Sequence, residues 1–398
     1  NTLRVDAKYP STRVDILVTV AAGTIANTFK LTVRSVFFGS TFTEVWDNRT
    51  LDAASLAEVN QKSRLVQLTN LASATAAPNN IPKVLVETVL AGGSDDFAGL
   101  AASDYIGADS GTTRTGLQTF NDRNLGIGQV AIPGITTDAV HAALFTHGQI
   151  YDRFACPDVP SGSDKNAVAT IRASYNTSDG AFTWPWGKIY DFAGTGLIKL
   201  IPPSAVMAGE CIRSDTTKGT HKSPANNGPV PFIFDVERYS NGQSQIDDNT
   251  REFLNSKDVN VIAPMPNQGI VLYGGRVPSS DTRVRFVHEA RMLKLLKSSG
   301  KIGYAWAVFQ TIDGQGRLFR DLRQTGRDFL RPFYEAGALF GKTEEEAFIV
   351  FVDEDDTDAL SQGKVPVHWG VRLSQTAEQI LLFIDNVSLT QSLSVLQQ

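Results

Sequence analysis

Hydrophobic and polar positions alternate with a period of two near the start of the chain. Val14, Ile16, Val18 and Val20 alternate with Asp15, Leu17 and Thr19. Phe29, Leu31 and Val33 alternate with Lys30, Thr32 and Arg34. Such a period sends one set to a core face and the other to solvent. Residues 3–7, 41–46 and 64–69 are further strand candidates, and residues 52–60 fit one short helix. Short strands divided by turn residues predict a small β-sandwich over residues 1–80.

Residues 72–80, rich in Ala, Thr, Pro and Asn, read as a linker, and the pattern then changes. Residues 84–90 form a strand that ends in Gly92-Gly93. Val140, Ala143, Leu144 and Ile150 recur near helical spacing within a helix over 138–151. Residues 154–158, 168–173 and 188–190 read as strands. Strands alternating with helices predict an α/β layer domain over residues 81–277. From residue 278 the chain reads as α+β up to 385. Ser280 or Asp281 caps a helix that runs to Ser299, with Gly300 as its stop. Its apolar stripe is Val287, Ala290, Leu293 and Leu296. Residues 303–311 read as a strand, and 317–339 as a second helix that Pro332 kinks. Residues 347–352, 367–373 and 379–384 complete the strands, and 386–398 form a terminal arm, with no internal repeat anywhere.

At 398 residues the chain exceeds one ordinary core. Its 42% hydrophobic and 20% charged residues mark a folded protein. A net charge of −5 offers no basic face for nucleic acid or anionic lipid. There is no 18-residue apolar run for a membrane helix, and no secretory signal opens the chain. The first residue is Asn1, and a strand begins at Leu3, so the chain reads as a piece of a longer protein without its N-terminal part. Cys156 and Cys211 cannot build a disulfide framework and read as buried free thiols, which fits synthesis in the cytosol.

Each chemical motif has a plainer reading. Residues 336–343, AGALFGKT, match a permissive P-loop, which needs a strand before it and a helix opening at Lys-Thr. Here a helix precedes it and Glu344, Glu345 and Glu346 follow, so a helix end stopped by Gly341 explains the same letters. The acidic run 353–358 lacks the Gly and Glu of a calcium loop at the sixth and twelfth positions, where Asp358 and Lys364 stand. The histidines His141, His147, His221, His288 and His368 have no zinc spacing. No nucleophile elbow is present and no Ser-His-Asp constellation can be assigned. Trp184-Pro185-Trp186 reads as packing. No catalytic, cofactor or metal residue is assigned, and the chain does not read as an enzyme.

Two blocks carry a family resemblance. In residues 184–228 the Trp184-Pro185-Trp186 pair leads to a short strand, then a turn at Gly194 and Gly196. An apolar run follows, stopped by Pro202-Pro203, then a helix-like segment and the loop from Arg213-Ser214-Asp215 through Gly219 to Ser223-Pro224-Ala225-Asn226. The second block runs from Val259-Asn260-Val261-Ile262-Ala263-Pro264 through Gly269–Arg276 and Ser279-Ser280-Asp281 to Arg285-Phe286-Val287. In order and spacing the blocks resemble the sheath protein of contractile phage tails and related injection machines.

The resemblance implies an α+β multidomain fold: a small outer β-sandwich, a core with a subtilisin-like layout but no triad, and a C-terminal α+β domain facing inward. It implies a structural subunit that assembles helically, in hexameric rings, around a tail tube and contracts to drive the tube through a cell envelope. Expected partners are further copies, the tube protein, and baseplate and tail terminator proteins. No direct nucleic acid and no membrane insertion are expected. The expected location is the virion tail, assembled in the host cytoplasm. Strand exchange between copies points to Gln379, Ile380, Leu381, Leu382, Phe383 and Ile384. Tube contact points to Arg323 and Arg327, within an Arg-rich helix. The alternatives are a hydrolase of α/β type and a non-contractile virion surface or binding module.

Overall fold

The computed structural model describes residues 2–9, 15–37, 40–72, 80–93, 99–191, 196–240, 243–244 and 246–378. It divides into two units, Asn1–Leu100 and Ala101–Gln398. The expected C-terminal strand, Gln379, Ile380, Leu381, Leu382, Phe383 and Ile384, and the arm over 386–398 lie outside the described residues.

In the first unit the period of two becomes strands. These are β1 (Leu3–Ala7), β2 (Asp15–Ala22), β3 (Phe29–Phe37), β4 (Ser40–Arg49), β5 (Val66–Asn70) and β6 (Leu85–Val89). One helix, α1 (Ala53–Lys62), starts where the Asp52 carboxylate accepts the Ser55 N–H at 2.8 Å. The four-stranded antiparallel sheet has the order β4-β3-β2-β6, and β1 pairs with β5. Ile16, Val18, Val20, Leu31 and Val33 bury against Leu56 and Val59 of α1 and Val66 and Leu68 of β5. The unit extends to Leu100 and takes in β6, which the sequence reading gave to the next domain.

The second unit opens with α2 (Ala102–Ile106), β7 (Gln129–Val130), α3 (Asp138–Ile150), β8 (Phe154–Ala155), α4 (Lys165–Ala173) and β9 (Phe182–Trp184). Strands β7 and β8 pair in parallel, with α3 as their crossover. Ala155 bridges to Gly180 in parallel, and β9 pairs in parallel with β15 (Val259–Met265), which pairs antiparallel with β16 (Gly269–Tyr273). A Cβ at Gly180 would collide with the Ala155 carbonyl, so only glycine permits this approach. A second sheet has the order β11-β10-β12-β13-β14. Its strands are β10 (Gly187–Tyr190), β11 (Ile198–Ile201), β12 (Asp235–Val236), β13 (Tyr239–Ser240) and β14 (Gln243–Ser244). Helices α5 (Pro203–Thr217) and α6 (Asp248–Ser256) lie between β11 and β15 in sequence. Phe154, Phe182, Leu144, Met207, Leu254 and Ile262 form the fully buried heart of this part. Each such side chain contributes about 1.5–3 kcal/mol of transfer free energy.

The unit ends with α7 (Val287–Gly303), α8 (Arg317–Glu335), α9 (Glu344–Ala347), β17 (Phe348–Val352), α10 (Thr357–Ser361) and β18 (Val367–Val371). Val287 and Ala290 of α7 belong to the α/β core. Met292 and Leu296 belong to a second cluster with Leu330, Phe348 and Val350. The fold is thus mixed α+β, built from several small sheets.

Several local expectations are corrected. Residues 168–173 are helix, not strand, because Asp164 caps α4 by accepting the Asn166 and Ala167 N–H groups at 2.8 and 2.9 Å. Helix α7 begins at Val287. The Glu289 carboxylate accepts the Arg285 and Phe286 N–H groups, whereas Asp281 accepts from Arg283 in the preceding turn. Gly300 does not stop α7; it makes room for the Trp369 ring, whose Cη2 would lie 2.8 Å from an added Cβ. Residues 303–311 form no strand: a short 3-10 turn spans Ala305–Ala307, and Phe309 takes a positive φ of 67°. Helix α8 ends at Glu335. Gly337, at φ 75°, sends its N–H to Tyr334, and Ala338 sends its own to Phe333, which satisfies the last carbonyls. Gly337 is therefore the stop, and Gly341 serves close approach to Ala347.

Candidate assembly surface

The residues that looked chemical are structural in geometry. Ala338 and Leu339 of the P-loop-like stretch are buried, and Leu339 bridges to Leu373. The Lys342 N–H donates to Glu346 at 2.9 Å, so a carboxylate occupies the place a phosphate would need. A Ser, a His and an Asp do meet at the start of α5. The Ser204 N–H and Oγ donate to the Asp158 carboxylate at 2.7 and 2.8 Å, and the Gly134 N–H donates at 2.9 Å. His141 Nε2, however, donates to the Asp158 backbone carbonyl at 2.8 Å. The serine hydroxyl thus gives its hydrogen bond to the aspartate and not to the histidine, and all three residues are buried. Burial raises the Asp158 carboxyl above its usual range, against the pull of those hydrogen bonds. The Trp184 and Trp186 indoles donate to the Ser163 and Val159 carbonyls at 3.0 and 2.7 Å, a packing role. Cys156 and Cys211 are free and buried, and burial pushes the Cys211 thiol up to about 12. Among the described residues no three His, Cys, Asp or Glu side chains could hold a metal ion. Asp353 instead accepts the backbone N–H groups of Asp355 and Asp356.

Helix α7 is pinned to the α/β core by a row of cations. The buried Arg291 pairs with Asp215 at the end of α5. Lys294 donates to Asp179 at 2.6 Å and to the Gly148 carbonyl at 3.0 Å. Lys297 and Lys301 share Asp152, at 2.6 and 3.1 Å. Burial alone would raise the Asp152 carboxyl, but these two ammonium groups outweigh it and hold it below its usual range.

That anchoring fixes a surface built from α8 and the β17–β18 pair. Helix α8 buries Leu318, Phe319, Leu322, Gly326 and Leu330 at helical spacing. Arg317, Arg320 and Arg327 lie exposed, while Arg323 pairs with Glu354, and Arg331 with Glu344 at 2.8 Å. Arg323 and Arg327, four residues apart, share one face of the helix. They differ in that Arg323 is held by Glu354. On β17 the alternation buries Phe348, Val350 and Val352 and exposes Ile349 and Phe351. The sequence reading missed these two. The run Phe-Ile-Val-Phe-Val is apolar throughout, so its pattern does not tell the covered face from the open one.

No protein-family model matches the chain. A putative prophage major tail sheath protein of Pseudomonas aeruginosa (strain UCBPP-PA14) is 27% identical over 290 residues, covering 69% of this chain and 69% of the relative. Among solved structures, the contracted helical sheath of the anti-feeding prophage matches with a TM-score of 0.53 at 23% identity, over 65% of this chain and 70% of that one. A sheath tail protein of Desulfitobacterium hafniense matches with a TM-score of 0.54 at 13% identity, over 88% of this chain and 73% of that one. A chain of the anti-feeding prophage baseplate gives 0.56 at 23% identity, over 68% and 72%. In sequence and in fold, the chain resembles the contractile tail sheath proteins, which are structural proteins and not enzymes.

Proposed function

We propose that the protein is a structural subunit of a contractile tail sheath, assembling helically around a tail tube and contracting to drive the tube through a host envelope. The observation that carries this reading is the likeness to a prophage sheath protein over 290 residues, joined to a sheath fold. Contraction requires two packings of one subunit separated by a barrier, and a contact that propagates instead of closing. The pinning of α7 by Arg291, Lys294, Lys297 and Lys301 favours motion of the second unit as a rigid body.

The finer assignments belong to the same proposal. The parallel path β7–β8–β9–β15 with helical crossovers supports a subtilisin-like layout for the expected α/β domain from Ala101 to residue 277. The first unit, Asn1–Leu100, forms the outer domain, 278–385 the inner one, and 386–398 the arm. Gln379, Ile380, Leu381, Leu382, Phe383 and Ile384 supply a strand to a neighbour. Arg323 and Arg327 face an acidic tube; of the two, Arg327 is the more exposed, while Arg323 must leave Glu354 to reach it. Hexameric rings, baseplate and terminator contacts and assembly in the host cytoplasm complete the reading.

Co-expression with the tail tube protein tests it. Tubes coated by a striated sheath are expected, and Arg323→Glu with Arg327→Glu should cut coating severalfold. Bare tubes beside monomeric protein would contradict the function. Full coating by the charge-reversed protein would remove the tube-contact assignment alone.

A further inference from the structure

Among the described residues, β6 and β11 each end a sheet with exposed apolar residues and no further described strand beside them. Strand β6 is last in the order β4-β3-β2-β6, and all five of its residues are exposed, with Val86 at 82% and Val89 at 48%. Strand β11 is last in the order β11-β10-β12-β13-β14, with Ile198 at 58% and Leu200 at 42%. An edge strand offers a row of N–H and C=O groups to any incoming strand. Proteins usually blunt such edges with several charges, prolines or very short strands. Each of these two carries a single charge at its centre, Glu87 on β6 and Lys199 on β11.

Those charges select the partner. Pairing β6 centrally with its own copy sets Glu87 against Glu87, whereas an antiparallel self-pair of β11 sets Lys199 against Lys199 or, one residue over in register, against Leu200, and in neither does it meet an opposite charge. Like charges directly opposite destabilise a strand pair. Pairing β6 with β11 sets Glu87 against Lys199. In the antiparallel sense it also matches Leu85 with Ile201, Val86 with Leu200, and Thr88 with Ile198. Glu87 now bonds Arg34 at 2.7 Å and Lys199 bonds Asp191 at 2.9 Å. The Arg34 bond is two-pronged and Asp191 is nearly buried, but Glu87 and Lys199 are themselves 43% and 57% exposed, so a cross-strand partner can reach each of them beside its present one.

We propose that the free edge of β6 in one copy adds antiparallel to the free edge of β11 in another copy, with Glu87 opposite Lys199. Two different edges make the contact heterologous, so it propagates from copy to copy. The proposal rests on the self-assembling reading above and names a contact that uses no chain terminus.

The test uses the full-length protein, with sedimentation velocity to follow assembly. Glu87→Lys and Lys199→Glu should each raise the concentration needed for assembly about tenfold, and the double swap should restore it. Val86→Cys in one copy and Leu200→Cys in a differently sized copy should form a disulfide-linked pair on mild oxidation, since opposed side chains stand about 5 Å apart. The native thiols, Cys156 and Cys211, are buried and should stay silent. Single swaps that assemble like the wild type, a double swap without rescue, or no link between copies would each overturn the contact while leaving the sheath reading intact. A wild type that stays monomeric at every concentration, with and without tube, would overturn both.

Discussion

His147 is buried, and its Nε2 accepts from Arg153 Nη1 at 2.8 Å. Burial first, and then the charge of Arg153, drop its titration from 6.5 to about 4. Below pH 6.5 the unfolded chain binds a proton that the folded chain refuses until about pH 4. The resulting stability is complete above 6.5 and is lost as pH falls through that window, by roughly 3 kcal/mol at most. Burial lowers His141 and His288 too, so they add in the same direction. His147→Gln, which keeps an acceptor for Arg153, should flatten the fall in urea stability across this range; a slope equal to wild type would contradict it. Gly180 gives a second test at this scale. Gly180→Ala forces a methyl against the Ala155 carbonyl and should cost about 3 kcal/mol by urea denaturation. A loss below about 0.5 kcal/mol would show that the bridge yields freely.

Between elements, the join of α7 to the α/β core depends on charge as much as on apolar area. Asp215→Ala would leave Arg291, buried and without its partner, at a cost of about 3 kcal/mol. Adding Arg291→Met should recover most of that loss, because an apolar side chain of similar length needs no counter-ion. A double variant no more stable than Asp215→Ala would place the weakness elsewhere in the row. Elements with a clear period were legible in the sequence: β2, β3, α1, α3 and β6 lie within a few residues of their expected places. Residues 168–173 and 303–311 were not. Both hold apolar β-branched or aromatic residues, yet Asp164 starts a helix before the first, and the end of α7 turns the second away from any sheet. The stop of α8 was misplaced by one glycine, since Gly337 and Gly341 look alike in sequence and differ only in φ and surroundings. The Arg face of α8 was legible from spacing, but the Glu354 that occupies Arg323 lies 31 residues on and could not be read.

At the scale of the whole molecule, the sequence carried the family resemblance better than it carried the surfaces. The two blocks, residues 184–228 and 259–287, hold buried residues such as Trp184, Met207, Cys211, Val261 and Val287, whose packing ties order and spacing to the fold. Exposed apolar positions such as Val86, Ile198, Leu200, Ile349 and Phe351 look like core in sequence, and only the sheet orders place them at open edges and faces. On the proposed sheath reading, those positions are where the assembly contacts lie. Negative-stain electron microscopy of the full-length protein, purified without tube or baseplate, tests the central claim most directly. Hollow tubes with helical striations are expected. Dispersed monomers at high concentration, unchanged when the tube protein is added, would contradict the account.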